Sequence, residues 1–564
     1  MANTTTAVVS SSSSTNRQST ETKKSTCTTN NSKRLRPDEY ARTVENFSKL
    51  QIGSNYLSLG EFLTGRRDST TAVQIDGNTG SGGSTDAALI YSLPLGTEGQ
   101  DGQRAKTLST TGRKDFQSPT QIYEFQSETS LIILLRGFLS PAWINNVGSR
   151  FLVDPEFFGR HLDFRFAQDK SNNFSTPCLP SASWHLMELP VTTIGSRESP
   201  LKGMSPSAWT EDERKNGRCE LERHHEKLLS LGSDISPGES MIRDYYVFDE
   251  IHFAIDQRIS ICMQQAEDGK SEDERKLFRL LVWADAGSGT RHDKHEPWDT
   301  KSYESKYHPV IDNKPMIALK GHLFQSSDET NNGSLTPQDP VSQLYQNYGL
   351  SLHPEIKATD PFYALGEIFQ LSANSQQQFL NMIEAKLRIY TAKEPEDDHE
   401  VLSHLKYTQQ ILYSRISDIK RVLMSIENVR RPSWMKSNTE SGMEKAEIAY
   451  NAIRRDFKHL LDHAESLYGR TNEAISVLHS SISITESHSA RLQADKAGKL
   501  TLLASAFVPV SVATGIFGMN VKELPGDQIS ILWFFVVVAI LTILIFCLFF
   551  FDEFWRNNKG KKIA

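Results

Sequence analysis

Residues 529–551 place the strongest constraint on the fold, because this run contains no charged side chain and consists almost wholly of aliphatic and aromatic residues. As an α-helix the run is about 34 Å long, enough to cross the hydrocarbon core of a bilayer. Residues 500–517 form a second apolar run, about 27 Å long as a helix. This run is more polar, with Thr501, Ser505, Pro509, Ser511 and Thr514. The sequence therefore predicts two transmembrane helices, the first facing protein or water and the second facing lipid.

Basic residues flank the two apolar runs on their outer sides, whereas the connecting residues 518–528 contain one lysine, Lys522. The flanking residues are Arg491, Lys496 and Lys499 before the first run, and Arg556, Lys559, Lys561 and Lys562 after the second. Positive charge favours the cytosolic side. We therefore expect a multi-pass membrane protein with both termini in the cytosol, including a basic tail at 552–564. We favour the plasma membrane, with an organelle membrane as the alternative.

The chain before these runs divides into a polar part and an ordered part. Residues 1–119 are dominated by Ser, Thr, Asn and Gly, which predicts a disordered tail and linker. Residues 120–320 are predicted to form a mixed α/β cytosolic domain with polar insertions at 198–240 and 287–306. Its expected strands are 130–139, 184–194, 244–255 and 278–286. Asp154 is expected to cap a helix that begins at Pro155.

After a loop at 321–360, the periodicity predicts a helical stalk over 361–499. Two runs have apolar residues at spacings of four and three, typical of helices that pack lengthwise. The first is Leu405, Gln409, Leu412, Ile416, Ile419, Leu423 and Ile426, and the second is Ile453, Phe457, Leu460, Ala464, Leu467, Thr471, Ala474 and Leu478. One helix from 443 to 517 would be roughly 110 Å long. The alternative is shorter helices broken at Gly469 or Gly498.

Two membrane helices in one chain cannot enclose a pore, so the polar first helix predicts a homo-oligomer with the first helices around a central axis. One face of this helix has small or apolar residues and one hydroxyl. The pore-lining candidates on it are Leu500, Ala504, Val508, Ser511 and Gly515. Such a ring is expected to gate by dewetting, with Gly518, Met519 and Asn520 at its outer end, the ion entrance.

The segment "KLTLLASAFVPVSVATGIFGMN", followed by a short loop, a second apolar run and a basic C-terminus, resembles the CorA-type divalent-cation transport proteins. Their signature is Gly-Met-Asn at the end of the first of two C-terminal spans, and the related ZntB proteins carry the same tripeptide. The resemblance covers about residues 370–564. It implies a funnel-shaped homopentamer that transports Mg²⁺, with Asn520 in a ring that receives the hydrated cation.

An amide suits that role, because Mg²⁺ gives up its water shell reluctantly and an uncharged oxygen can hydrogen-bond this shell without trapping the ion. The tripeptide also fits a helix C-cap, a reading compatible with the first. The sequence departs from the family at Phe517 and Val521, which flank the motif, at Lys522, and at Ala494, where an Asn is common. These departures bear on ion selectivity and on the inner gate.

Two further places have metal-ligand chemistry. In "EPEDDHE", Asp397 and Asp398 are candidates for a regulatory metal site, against a solvated helix connection as the alternative. In "RHDKHEPWD", His292 and His295 are a weak zinc candidate against a mobile loop. The net charge of −7 argues against a nucleic-acid partner. No nucleophile, base and orienting group stand together, so we expect no enzyme and no cofactor besides the transported cation.

The expected fold class is thus an α+β cytosolic domain followed by long stalk helices and two C-terminal transmembrane helices, assembled as a funnel-shaped homo-oligomer in a bilayer. The leading hypothesis is a channel or transporter for divalent cations, Mg²⁺ first. One alternative is the same architecture moving Zn²⁺ or another divalent metal. The other is a non-conducting, membrane-anchored sensor or scaffold.

Overall fold

A computed structural model describes most of the chain after residue 34. The described residues are 35–65, 87–94, 112–127, 129–164, 179–197, 206–229, 237–266, 277–287, 297–298, 305–312, 348–349, 351–392, 398–431, 434–437, 439–518, 532–533, 535–544, 547 and 551. Residues 1–34 of the predicted disordered tail and the predicted basic tail over 552–564 lie outside them.

One mixed sheet organises the domain. Its strands are β1 (Ala88–Leu93), β2 (Arg113–Phe116), β3 (Ser130–Arg136), β4 (Leu186–Ser196), β5 (Asp244–Val247), β6 (His252–Ala266), β7 (Leu277–Ala284) and β8 (Lys306–Tyr307). They lie in the order β2-β1-β3-β7-β6-β4-β8, and β5 also pairs with β6. Only β3 and β7 run parallel among these pairs, with Ile133 opposite Leu281.

The described helices precede, interrupt and follow the sheet. They are α1 (Pro37–Ser48), α2 (Leu57–Thr64), α3 (Pro119–Glu124), α4 (Pro141–Phe151), α5 (Pro155–His161), α6 (Pro206–Leu229), α7 (Pro354–Thr359), α8 (Pro361–Ala364), α9 (Gly366–Ala392), α10 (Asp398–Asn428) and α11 (Glu440–Gly518). A 3-10 helix, Gln51–Tyr56, joins α1 to α2. As expected, Asp154 caps α5, since its side chain accepts a hydrogen bond from the backbone N–H of Glu156.

The sheet is buried on both faces, and β3 shows how. Ile132 and Leu134 belong to a core with the long helices α9, α10 and α11. Leu131, Ile133 and Leu135 belong to a second core with α1, α2, α4 and α5. Because successive side chains of a strand point to opposite faces, an unbroken apolar run is what a strand between two helical layers requires. The α+β class of the domain follows from this architecture.

The prediction that residues 1–119 are disordered is wrong for the described parts of that range. Tyr40 and Val44 of α1 are buried, and the Tyr40 hydroxyl donates to the Val153 carbonyl at 2.8 Å. Strand β1 lies inside the sheet, between β2 and β3. Each segment is a short apolar cluster within polar surroundings, so the average composition of the range concealed it.

Three other predictions are corrected. The expected polar insertion at 198–240 contains the 24-residue helix α6, which buries Leu221 against a small cluster around Trp298. The single strand expected over 244–255 is the hairpin of β5 and β6, whose turn is held by Asp249, since its Oδ1 accepts from the N–H groups of Ile251 and His252. The expected loop over 321–360 includes α7, which starts at Pro354.

The stalk helices pack as their heptads predict. Leu405, Leu412, Ile419 and Ile426 of α10 are buried together with Phe457 and the apolar residues that follow it in α11. The polar position in the seam is also paired, because the Gln409 amide donates to the Asn472 side chain at 2.5 Å.

Helix α11 is continuous through Gly469 and Gly498, so the alternative of shorter helices broken there is wrong. A Cβ at either glycine would meet open space. With 79 residues, α11 is about 120 Å long. Among the described residues, Glu440–Gly515 is the one helix long and apolar enough to cross a membrane, and Phe535–Leu544 is a shorter apolar helix.

Candidate functional site

The last part of α11 carries the predicted pore-lining face. Leu500, Ala504, Val508, Ser511 and Gly515 follow one another at spacings of four and three, so the continuous helix keeps them on one side. All five are exposed in the single chain, Leu500 at 72% and Val508 at 51%. This face therefore has no apolar cover from the described part of the chain.

The side of α11 opposite to the candidate pore face contains a buried residue. Ala513 is fully buried within the chain. At 100° per residue it lies about 180° from Ala504 and about 160° from Gly515. The open face and the covered face of this segment are thus on opposite sides.

The threonines of this segment satisfy their hydroxyls locally. Thr501 donates to the Ala497 carbonyl and Thr514 to the Val510 carbonyl, each at 2.9 Å. These are bonds back to the preceding turn, which remove an unpaired donor that an apolar environment would penalise. The segment can therefore hold hydroxyl groups in a bilayer without a polar partner from another helix.

Of the Gly-Met-Asn motif, the structure describes Gly518, the last residue of α11. A Cβ at Gly515 or at Gly518 would meet open space. Both glycines thus leave the backbone accessible on the candidate face. Met519 and Asn520, together with Lys522 and the rest of the loop, lie outside the described residues.

Of the two acidic residues predicted as a regulatory metal site, the structure describes one. Asp398 is the first residue of α10 and accepts a hydrogen bond from the Ser481 hydroxyl of α11 at 3.4 Å. Asp397, His292 and His295 lie outside the described residues. Within the described ranges, no three His, Cys, Asp or Glu side chains cluster so that they could hold a metal ion. The observed contact links the start of α10 to α11.

Sequence reasoning missed a buried ion pair that ties the sheet to the stalk. Arg415 of α10 is 1% exposed and donates to Asp256 of β6. Asp256 also accepts from Thr192 Oγ1 at 2.5 Å and from the Tyr246 hydroxyl at 3.0 Å. Gln376 of α9 donates to Thr192 Oγ1 at 3.1 Å. The available signal was an arginine three residues after Leu412 and four before Ile419, at a position facing the core.

The charges of this network stabilise one another. Burial lowers the pKa of Arg415, and the Asp256 carboxylate reverses this effect, so that the pKa lies above its ordinary value. Burial and the same carboxylate raise the pKa of Tyr246. Arg415 is therefore permanently charged, and Tyr246 is a neutral donor at any physiological pH.

A second buried network lies on the other face of the sheet. His161 Nδ1 is 2.8 Å from the Ser260 hydroxyl, and its Nε2 is 3.0 Å from Asp285. Arg243 forms two hydrogen bonds to the same Asp285 carboxylate. Burial lowers the pKa of His161 to about 4, although Asp285 opposes the shift. The three groups resemble a hydrolase triad, but Ser260 is 3% exposed and the other two are fully buried, so their role is structural.

One family of known proteins matches the C-terminal part of the chain. Residues 351–556 match the family described as CorA-like Mg²⁺ transporter protein. Over 58 residues the chain is 41% identical to the magnesium transporters ALR1 and ALR2 of Saccharomyces cerevisiae (strain ATCC 204508 / S288c). This stretch is 10% of the present chain and 7% of each yeast protein.

Among solved structures, the chain is similar to the CorA magnesium transporter from Methanocaldococcus jannaschii, with 15% sequence identity and a TM-score of 0.26. The matched region covers 64% of the present chain and 96% of the archaeal one. The resemblance stated from the Gly-Met-Asn segment is confirmed by the family match.

Proposed function

From the CorA-like Mg²⁺ transporter domain of residues 351–556, we infer that this chain moves divalent cations across a membrane, with Mg²⁺ as the main substrate. The pathway is an axial pore formed by the first membrane helices of a homo-oligomer, which we propose to be a pentamer. One observation carries this proposal. A single helix, α11, extends without a break from the packed core of the sheet domain to an exposed face of small and apolar residues.

The exposed face supports a pore better than it supports lipid contact. Glycine, alanine and serine contribute little apolar area, so such a face gains little from lipid and instead permits close approach of neighbouring helices around an axis. Leu500 and Val508 are the bulky members and would form the constrictions. Because the constriction is apolar, it blocks ions when water leaves it and conducts when a small widening lets water return.

The ion entrance lies at the end of this helix. Gly515 and Gly518 leave backbone carbonyls accessible on the candidate face, and we place Met519 and Asn520 directly beyond them. In this arrangement the Asn520 amide and the Gly518 carbonyl accept hydrogen bonds from the water shell of Mg²⁺. Neither group carries charge, so the ion is held weakly enough to move on.

The rigid stalk gives the sheet domain a means to control the pore. From Phe457 to Thr471, five side chains of α11 are buried, Phe457, Leu460, Ala464, Leu467 and Thr471, where α11 packs against α10 and α9. A rotation of the sheet domain about this contact would therefore move the membrane end of the same helix. We propose that gating consists of such a tilt, with both chain termini on the cytosolic side.

Flux measurements on purified full-length protein in liposomes test this function. We expect Mg²⁺ uptake driven by a negative internal potential, lower uptake of Zn²⁺, and at least a tenfold loss of Mg²⁺ uptake in Asn520→Ala. Asn451→Ala is the matched control, because Asn451 is an exposed residue of the same helix, hydrogen-bonded to Glu447. It should conduct like the unmodified chain.

The outcomes separate the hypotheses. Flux of Zn²⁺ without flux of Mg²⁺ would replace the proposed substrate, and no flux of either ion would favour a sensor or scaffold. Equal Mg²⁺ flux in Asn520→Ala and in the unmodified protein would remove Asn520 from the ion entrance while leaving the transport proposal intact.

A further inference from the structure

A cavity of about 300 Å³ lies where the C-terminal half of α10 meets β4, β5 and β6. This volume is at the lower end of the range for small-molecule sites. Part of its wall is apolar, formed by residues that include Phe164, Leu186 and Met424. The cavity is also lined by five arginines: Arg160, Arg243, Arg258, Arg415 and Arg421. A small cavity with apolar walls and several guanidinium groups has the composition of a binding site for an organic ion.

Arg415 provides the sharpest indication of what the ion must offer. Its side chain is 1% exposed, and only Nη2 donates a hydrogen bond, to Asp256. Its Nη1 is 3.7 Å from Asp418, and both Nη1 and Nε lack a hydrogen-bond partner among the described residues. A buried donor without an acceptor is destabilising. These N–H groups lie in the buried wall of the cavity, where an oxygen acceptor that reaches them would satisfy them.

Carboxylates line the cavity as well, and three of them are bound to arginines. Glu188 is 3.3 Å from Arg258, Asp418 accepts from Arg421, and Asp256 accepts from Arg415. Asp163 and Asp244 complete the acidic lining. The Arg421 guanidinium has five N–H donors, more than its contact with Asp418 uses.

At Glu188, the nearby arginines outweigh the effect of burial on the carboxyl group. Burial alone would raise the pKa of Glu188, but the guanidinium groups of Arg258, Arg160, Arg421 and Arg243 lower it below its ordinary value. A second anion near this wall would experience these four cations together with the carboxylates of the lining.

We propose that this cavity binds a small organic anion through a carboxylate or phosphate group. The anionic group contacts Arg415 and Arg421, and the apolar part of the molecule lies against Phe164 and Met424. Arginine is suited to this task because its planar donors match the two oxygens of a carboxylate or phosphate. The site is separate from the ion pathway and does not depend on transport.

Isothermal titration calorimetry on the full-length protein in detergent, with phenyl phosphate and with benzoate as probes, tests the site. We expect one equivalent of at least one probe to bind per chain, and no binding of benzyl alcohol, which has the apolar ring without the charge. Arg421→Gln should weaken binding about fivefold or more, and Arg415→Lys should weaken it about tenfold, because lysine keeps the charge but loses the planar donors.

Lys420→Gln is the matched control. It removes one positive charge from the adjacent position of α10, where Lys420 is paired with Glu465 at 2.7 Å and does not line the cavity. Its affinity should equal that of the unmodified protein. Because the Arg421 side chain is 38% exposed, Arg421→Gln preserves the fold even if Arg415→Lys does not. The proposal is overturned if neither probe binds at millimolar concentration, or if Arg421→Gln binds as tightly as Lys420→Gln does.

Discussion

In the sheet domain, helices of the same chain cover the apolar residues of β3 and β7 on both faces, whereas on α11 from Leu500 to Gly515 the corresponding residues are open. The contrast exists within one helix, since Phe457 and Leu467 of α11 are buried and Leu500 and Val508 are exposed. The first region is complete in one chain. The second has an apolar face that only something outside the described chain can cover, as a membrane pore lined by several copies would do.

Replacement of Arg415 by methionine should cause the largest loss of stability in the sheet domain. Among the described residues, it leaves the buried Asp256 carboxylate with two neutral donors, Thr192 and Tyr246. Removal of one partner of a buried ion pair costs about 3–5 kcal/mol. Urea denaturation of the purified full-length protein, followed by tryptophan fluorescence, measures this loss. The double variant Arg415→Met with Asp256→Asn should recover part of it, and a double variant no more stable than Arg415→Met would show that the charge of Asp256 is not the cause.

Two substitutions that shorten an apolar side chain test the contrast between the covered sheet domain and the open face of α11. Leu280 is fully buried between the sheet and the stalk helices, so Leu280→Ala should lower the free energy of unfolding by about 2–5 kcal/mol. Val508 is 51% exposed on the candidate pore face, so Val508→Ala should change it by less than about 0.5 kcal/mol. The same urea titration serves for both. Similar losses in the two variants would mean that the pore face is packed as tightly as the sheet core, against the contrast drawn above.

Acid should weaken the sheet domain gradually. Burial lowers the pKa of His161 to about 4 and that of His225 to about 3, whereas an unfolded histidine titrates near about 6.5. Between these values the unfolded chain binds more protons, so stability is lost as the pH falls below about 6.5. The slope is about 1.4 kcal/mol per pH unit for each histidine.

Urea midpoints measured between about pH 7 and about pH 5 give this slope. The range lies above the ordinary pKa values of the Asp and Glu side chains. His161→Gln should reduce the slope, and the exposed His488→Gln should leave it unchanged. If His161→Gln keeps the full slope, His161 does not take up a proton on unfolding in this range.

The sequence predicted best where a repeating pattern coincides with burial. The heptads placed Phe457, Leu460 and Leu467 in the seam, and β3 and β7 were recognised from their apolar runs. It failed where few residues carry the signal. Helix α1 buries only Tyr40, Ala41, Val44 and Ser48, too little to stand out from a polar region. The partner of Arg415 lies 159 residues away, and no local pattern reveals a pairing at that distance.

The candidate pore face was read from spacing alone, and the described part of α11 keeps that spacing. Asp397 and Asp398 show the limit of prediction from sequence patterns. An acidic run that binds a metal looks the same in a sequence as one that is only solvated. The observed contact of Asp398 with Ser481 depends on how α10 and α11 pack, which composition does not specify.

The hydrogen bond between Gln409 and Asn472 restricts how α11 can move. A polar pair inside an apolar seam fixes the lengthwise register of two helices, because sliding separates the pair and buries each amide against apolar groups. A shift by one heptad, about 10 Å, would place Asn472 beside Leu402 or Ile416. Piston-like motion of α11 along α10 is therefore penalised at every intermediate position, whereas rotation of the two helices as one lever preserves the bond.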